Sequence, residues 1–231
     1  MLELDEVRIE QDGFRLAADL AVPRGVRVAV IGPSGAGKST LLGAIAGFVA
    51  LAGGRIMWDG RDIGPLAPGG RPVSILFQDQ NLFPHLTLAQ NVGLGLDPGL
   101  RLTGSDRAQV AEALARTGLS ALADRRPGQV SGGEQGRAAL ARLLLRRRPL
   151  WLLDEPFSAL GPALKAEMLD LCAGIAAETG ATVLMVSHDP ADARRFAPET
   201  ILVAGGRAEP PKPTAALLDD PPPALADYLG Q

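Results

Sequence analysis

The residues whose chemistry can be read most directly lie at positions 32–39. Gly32-Pro33-Ser34-Gly35-Ala36-Gly37-Lys38-Ser39 fits the spacing G-x-x-x-x-G-K-[ST] and is followed by Thr40. Glycines so placed let the backbone wrap closely around a polyphosphate, with successive N–H groups and the positive end of the next helix pointing at it. Lys38 is then placed for the β- and γ-phosphates and Ser39 for Mg²⁺. A plain glycine turn would lack the apolar run that precedes this segment and the helical pattern that follows it.

Leu150-Trp151-Leu152-Leu153-Asp154-Glu155 is an apolar run closed by two acids. It sets a carboxylate at the carboxyl edge of a parallel sheet, where ligands bind. Asp154 can hold Mg²⁺ directly or through water, and Glu155 can orient and deprotonate an attacking water. Alone, such a pair also serves as a helix cap or turn; a phosphate loop in the same chain calls for an acid of this kind. Ser131-Gly132-Gly133-Glu134 reads locally as a capping box. Its paired glycines also leave backbone N–H groups open to a second anion, in a part of the chain away from the first.

Strands and helices must alternate to position these groups. Val26–Ile31 is a continuous apolar run suited to a strand buried on both faces. A helix is expected over Ser39–Val49, closed by Gly53-Gly54, with a strand over Ile56–Asp59. From Leu82 to Arg148 strand signals fade, and helices are expected over Ser105–Thr117 and from near Ser131 to a stop before Pro149. Trp151–Leu153 and Thr182–Ser187 resume as strands, and Ile201–Val203 adds another. Between them a helix opens at Pro162 with Leu164, Met168, Leu171 and Ile175 on one face. After Gly206 the prolines at 210, 211, 213, 221, 222 and 223 suggest a loosely attached tail.

The chain has 231 residues, a net charge of −3 and one cysteine, Cys172. That length suits one domain with a subdomain. The charge gives no general affinity for nucleic acid, and a single cysteine excludes an internal disulfide and multi-thiolate metal sites, as in a reducing cytoplasm. The acidic start MLELDEVRIE does not read as an export signal. The apolar tract 41–52, broken by Gly43 and Gly47, is far short of the roughly 20 residues that span a bilayer.

Together these segments resemble the ATP-binding subunits of ABC transporters, and the resemblance runs along nearly the whole chain. It implies an α/β fold: a P-loop NTPase (RecA-like) core with a mainly parallel sheet, an N-terminal antiparallel part and an inserted helical subdomain. The core would occupy about 1–80 and 149–206, the helical subdomain about 81–148 and the tail 207–231. It further implies a homodimer that sandwiches ATP head to tail, with Ser131, Gly132, Gly133 and Glu134 closing over the nucleotide held by Lys38 of the other copy. The partners would be integral membrane permease subunits and, indirectly, a periplasmic or extracellular substrate-binding protein. The place of work would be the cytoplasmic face of the inner membrane, with the chain bound peripherally.

The same resemblance assigns Gln78 to a loop that contacts Mg²⁺ and the attacking water, and His188 to contact with the γ-phosphate. Two departures stand out. Gly161 in Ser158-Ala159-Leu160-Gly161 replaces an acid, and the signature carries Val130 and Glu134 for leucine and glutamine. The aromatic expected to stack on adenine is missing near Gln11, and Phe14 alternates toward the core of a strand.

Arg71–Gln78, Asn81–Thr87 and Gln90–Leu96, followed by Asp97-Pro98-Gly99-Leu100, are similar to the ATP-binding subunits of thiamine importers. So is the absence of an appended β-domain. Phe77–Leu88 mixes apolar residues with few charges, as a surface receiving a membrane-subunit helix would. Other cargoes of the same class, such as iron, polyamine or an anion, are alternatives. A DNA-acting ABC ATPase would need a long coiled coil or a basic face, and neither appears. The Ser131–Gly133 segment argues against a P-loop kinase.

Overall fold

The computed structural model of the chain describes residues 1–11, 13–79 and 81–229. The chain opens with β1 (Leu2–Gln11), β2 (Phe14–Val22), β3 (Arg27–Ile31), helix α1 (Lys38–Ala46), β4 (Gly53–Trp58), β5 (Arg61–Asp62) and β6 (Val73–Leu76). Three helices follow: α2 (Leu88–Gly93), α3 (Gly104–Arg116) and α4 (Gly132–Leu145). The order then runs β7 (Leu150–Asp154), α5 (Pro162–Thr179), β8 (Thr182–Val186), α6 (Pro190–Phe196) and β9 (Glu199–Ala204). It closes with β10 (Arg207–Ala208), β11 (Lys212–Pro213), α7 (Thr214–Asp219) and α8 (Pro223–Leu229).

One curved sheet carries the order β5-β4-β1-β2-β10-β9-β3-β8-β7-β6, with β11 alongside β9. The run β9-β3-β8-β7-β6 is parallel throughout, whereas β1 pairs antiparallel with both β2 and β4. This is the α/β arrangement expected, with a parallel heart and an antiparallel N-terminal part. Alternation along the parallel strands builds two cores. Val28, Val30, Leu152 and Leu184 face α1 and the N-terminal strands, while Ala29, Ile31, Leu153, Val183 and Met185 face α4, α5 and α6. Both faces are covered, which is why these strands read as unbroken apolar runs. Between β6 and β7, α2, α3 and α4 pack on one another through Leu88, Val92, Val110, Leu114 and Leu140.

Several boundaries differ from expectation for identifiable reasons. Helix α1 stops at Ala46, not Val49, because Gly47 turns left-handed at φ 91° and the buried Arg71 guanidinium donates to the carbonyls of Ala44 (2.7 Å) and Ile45 (2.8 Å). Gly53 and Gly54 do not close the first unit; they start β4, opposite an irregularity in β1 where Glu6 has φ 47°. A Cβ on Gly54 would lie 2.3 Å from the Glu6 carbonyl oxygen, so only glycine fits there. Helix α4, by contrast, starts behind its Ser131 cap and stops before Pro149 as expected, ending at Leu145 as Arg147 turns to φ 49°. On α5 the deeply buried stripe is Met168, Leu169, Cys172, Ile175 and Ala176, with Leu164 and Leu171 only half buried.

The larger correction concerns the segment after Gly206, which is not a loose appendage. β10 joins β2 to β9, β11 adds to β9, and Leu217, Leu218 and Leu225 enter the core. The prolines serve as element starts: Pro213 precedes α7 and Pro223 opens α8, where a missing N–H costs nothing. Leu225→Ala should therefore lower the unfolding free energy by about 3 kcal/mol in urea denaturation; a loose tail would leave the midpoint unchanged.

Candidate nucleotide-binding and hydrolytic site

Register brings the candidate residues together. Val30 pairs with Val186, and Val186 pairs with Asp154, so the phosphate loop, Asp154 and the Ser187-His188 turn leave the sheet on one level. Leu76 pairs with Leu153, so Gln78 leaves the same edge in an exposed turn two residues beyond β6.

The loop from Gly32 is fixed by close approach. A Cβ on Gly32 would lie 2.0 Å from the Val203 carbonyl oxygen, and one on Gly37 would lie 2.4 Å from the Phe14 ring. Gly37, at φ 101°, caps α1 without a side-chain bond, leaving the first N–H groups of that helix for a ligand. Ser34 and Gly35 are exposed at the loop tip, and Pro33, Ala36 and Thr40 are half buried. Lys38 is 8% exposed and its Nζ donates to the carbonyls of Gly32 (2.7 Å) and Pro33 (2.8 Å). Burial pushes its pKa down, against the pull of Glu155 and Asp154.

Ser39 Oγ donates to Asp154 Oδ1 at 2.9 Å. Burial, chiefly, pushes the Asp154 carboxyl above its ordinary value; the Ser39 bond opposes this, Glu155 adds to it and Lys38 opposes it. A hydroxyl and a half-buried carboxylate side by side are hard oxygen donors suited to Mg²⁺, which takes one or two protein oxygens and completes its shell with phosphate and water. No cluster of three metal-ligating His, Cys, Asp or Glu side chains occurs among the described residues.

Glu155 has φ 46°, a conformation a non-glycine residue holds only when its surroundings impose it. Its N–H donates to the Val186 carbonyl (3.2 Å), and its carbonyl accepts from the Ser158 N–H (3.3 Å) and Oγ (3.1 Å). The carboxylate is thereby aimed at His188, whose Nδ1 lies 3.0 Å from Glu155 Oε2.

Ser131–Glu134 forms the capping box of α4: Ser131 donates from its N–H (2.7 Å) and Oγ (2.8 Å) to Glu134 Oε2, and its Oγ accepts from the Glu134 N–H. This segment sits against the start of α5, where a Cβ on Gly133 would meet Leu164 at 2.5 Å. Among the described residues no hydrogen bond or ion pair joins it to the phosphate loop. One chain thus gathers Lys38, Ser39, Asp154, Glu155 and His188, with Ser131–Gly133 packed against the start of α5.

Sequence reasoning misses residues that act through distant contacts. Lys165 on α5 is bonded to Asp189 (3.0 Å) and Asp192 (2.7 Å), which flank the His188 turn. Phe14 faces the phosphate loop as well as the core. The sequence signal for Lys165 is no more than a charge on a largely apolar helix.

The parallel sheet and the groups at its carboxyl edge are those of a phosphate-loop nucleotide hydrolase. Within that class the chain belongs to the ABC transporter family, which matches residues 17–158. It is 70% identical over 230 residues, covering 100% of both chains, to the "Thiamine import ATP-binding protein ThiQ" of Cereibacter sphaeroides. It is 58% identical over 230 residues, again covering 100% of both, to the protein of that name from Ruegeria sp., and 49% identical over 230 residues (100% of this chain, 97% of the other) to that of Yersinia pestis. Among solved structures it is similar to the dimeric post-hydrolysis state of the ATP-binding cassette MJ0796 bound to ADP and Pi, at TM-score 0.80 and 30% identity over 93% of this chain and 99% of that one.

A raised carboxyl pKa in the folded state means that stability falls as pH rises from the ordinary aspartate value through the raised one. Asp154→Asn removes that loss and keeps an acceptor for Ser39. The nucleotide-free variant should therefore unfold at higher urea than the parent at pH 7, with the gain vanishing below the ordinary aspartate pKa of 3.8. Equal midpoints at pH 7 would show that Asp154 is not strained by burial.

Proposed function

We propose that this chain is the ATP-hydrolysing subunit of an ABC importer for thiamine or its phosphates, working as a homodimer on two permease subunits. The observation that carries the hydrolytic part is the Glu155–His188 pair beside the Ser39–Asp154 pair, 3.0 and 2.9 Å across. The cargo rests on whole-length similarity to proteins named for thiamine import.

On this reading Lys38 leaves the Gly32 and Pro33 carbonyls for the β- and γ-phosphates, while loop N–H groups from Gly32 to Thr40 cradle the chain of charges. Ser39 and Asp154, with Gln78, would hold Mg²⁺, which would supply charge neutralisation on the phosphate oxygens. Glu155 takes a proton from the water whose oxygen bonds to the γ-phosphorus as the bond to the bridging oxygen of ADP breaks. His188 hydrogen-bonds the γ-phosphate and steadies Glu155. Ser131, Gly132 and Gly133 of each copy complete the other's site, so ATP draws the two together and hydrolysis releases them.

The permease contact falls on the groove of about 660 Å³ lined by Phe48, Phe77, Leu82, Phe83, Arg142 and Arg146. Phe48 and Phe83 are 59% and 48% exposed. Asn91, fully buried, ties the rim by accepting from the Phe83 N–H (2.7 Å) and donating to the carbonyls of Phe83, Leu86 and Thr87. No helix among the described residues is long and apolar enough to cross a membrane; attachment to the inner membrane's cytoplasmic face comes through the permease. A substrate-binding protein delivers the cargo from the far side.

Glu155→Gln should trap an ATP-bound dimer on size exclusion, with turnover reduced at least about a hundredfold; full activity would remove Glu155 from the base role. Uptake of labelled thiamine by cells lacking the chain should return with the parent and not with this variant. Unchanged uptake in the deleted cells would discard thiamine and leave the ATPase standing. Phe83→Asp should abolish uptake while leaving ATP binding intact, and normal uptake would move the docking surface elsewhere.

A further inference from the structure

His188 is set in a turn whose neighbours on both sides are anchored. Ser187 Oγ donates to Asp192 Oδ2 (2.5 Å) and accepts from the Asp189 N–H (3.1 Å). Asp189 caps α6 through the Ala191 N–H (2.9 Å), and Lys165 on α5 bridges Asp189 and Asp192. These bonds fix residues 187 and 189, and the one from the Asp189 N–H holds one end of the His188–Asp189 peptide; the His188 side chain between them is 54% exposed.

That peptide receives one further bond. The Tyr228 hydroxyl on α8 donates to the His188 carbonyl oxygen. Its ring packs against the core, and Leu225, three residues earlier on the helix, is fully buried. The donor is therefore carried by an anchored element. Burial, first, and then the Glu155 and Asp189 carboxylates push the phenol pKa up, so the hydroxyl stays a donor throughout the neutral range.

We propose that Tyr228 is a positioning residue for His188: by holding its carbonyl, the last helix of the chain secures the second end of a peptide whose N–H end Ser187 already holds, and so fixes the plane from which the imidazole reaches Glu155. This rests on the proposed role of His188 and deepens it, since it makes the C-terminal segment part of the hydrolytic apparatus. The device is non-local, joining positions 40 residues apart, and needs no contact between Tyr228 and nucleotide.

The test compares the full-length parent, Tyr228→Phe and His188→Ala in steady-state MgATP hydrolysis. Tyr228→Phe keeps the ring and its packing and loses one hydrogen bond. It should lower kcat about three- to tenfold with KM for ATP unchanged. The chain has two histidines, His85 and His188, so a ¹³C-histidine NMR spectrum reads the ring directly. The His188 resonance should shift in Tyr228→Phe and the His85 resonance should not. Unchanged kcat and an unmoved His188 resonance, with His188→Ala impaired, would overturn the positioning role and leave the site intact. A His188→Ala protein with full turnover would overturn the role of His188 and that of Tyr228 with it.

Discussion

The whole arrangement depends on a ladder register: Val30 of β3, Val186 of β8 and Asp154 of β7 stand side by side at the carboxyl edge of the parallel sheet. A slip of one residue in any strand would move its end by about 3.3 Å and turn each side chain to the other face. Ser39 would then lose Asp154, and Glu155 would lose the Val186 carbonyl that holds its backbone. Two cores, one on each face, make such a slip costly, because alternate residues such as Val28 and Ala29 are committed to different sides. The packing of the sheet thus sets the tolerance of the chemistry.

What gathers at that edge is unfavourable when considered without a ligand. The Lys38 ammonium and the Asp154 carboxylate are both pulled from water, and their pKa values move toward neutrality. Glu155 adds a left-handed backbone held by Ser158 and Val186. These unfavourable features meet where phosphate and a hard cation would relieve them. Arg71 is about as buried as Lys38 and burial pushes its pKa down too, but its role is structural: its guanidinium donates to carbonyls of Ala44, Ile45, Gly64 and Leu66 and serves to end a helix.

How far the sequence reveals this follows from the distance between partners. The phosphate loop, the Asp154-Glu155 pair and the Ser131–Glu134 box each lie within a few consecutive residues, so type and spacing suffice to read them. The alternating strands and the helical stretch between β6 and β7 are legible for the same reason. Lys165 and Tyr228 act on residues 24 and 40 positions away in the chain. The Phe14 ring over Gly37, like the Val203 carbonyl against Gly32, reaches across from a separate strand. No local pattern encodes such contacts. The tail misleads because proline reads as a breaker, when at Pro213 and Pro223 it begins helices; the pair Leu217-Leu218 and Leu225 carry the better signal.

The two departures from the family pattern are neighbours in space. Gly132 lies beside Leu160, the residue before Gly161, so the signature segment and the start of α5 share one surface. There, Glu134 adds a carboxylate where a glutamine is expected, and Gly161 omits one where an acid is expected. Glu134 is held ionised, below the ordinary glutamate range, first by the Ser131 N–H and then by its hydroxyl. In the proposed dimer this same Ser131 must turn toward the other copy's phosphates, so its bonds to Glu134 compete with closure. A Cβ added at Gly161 would meet nothing within 4 Å, so the missing acid reflects no lack of room.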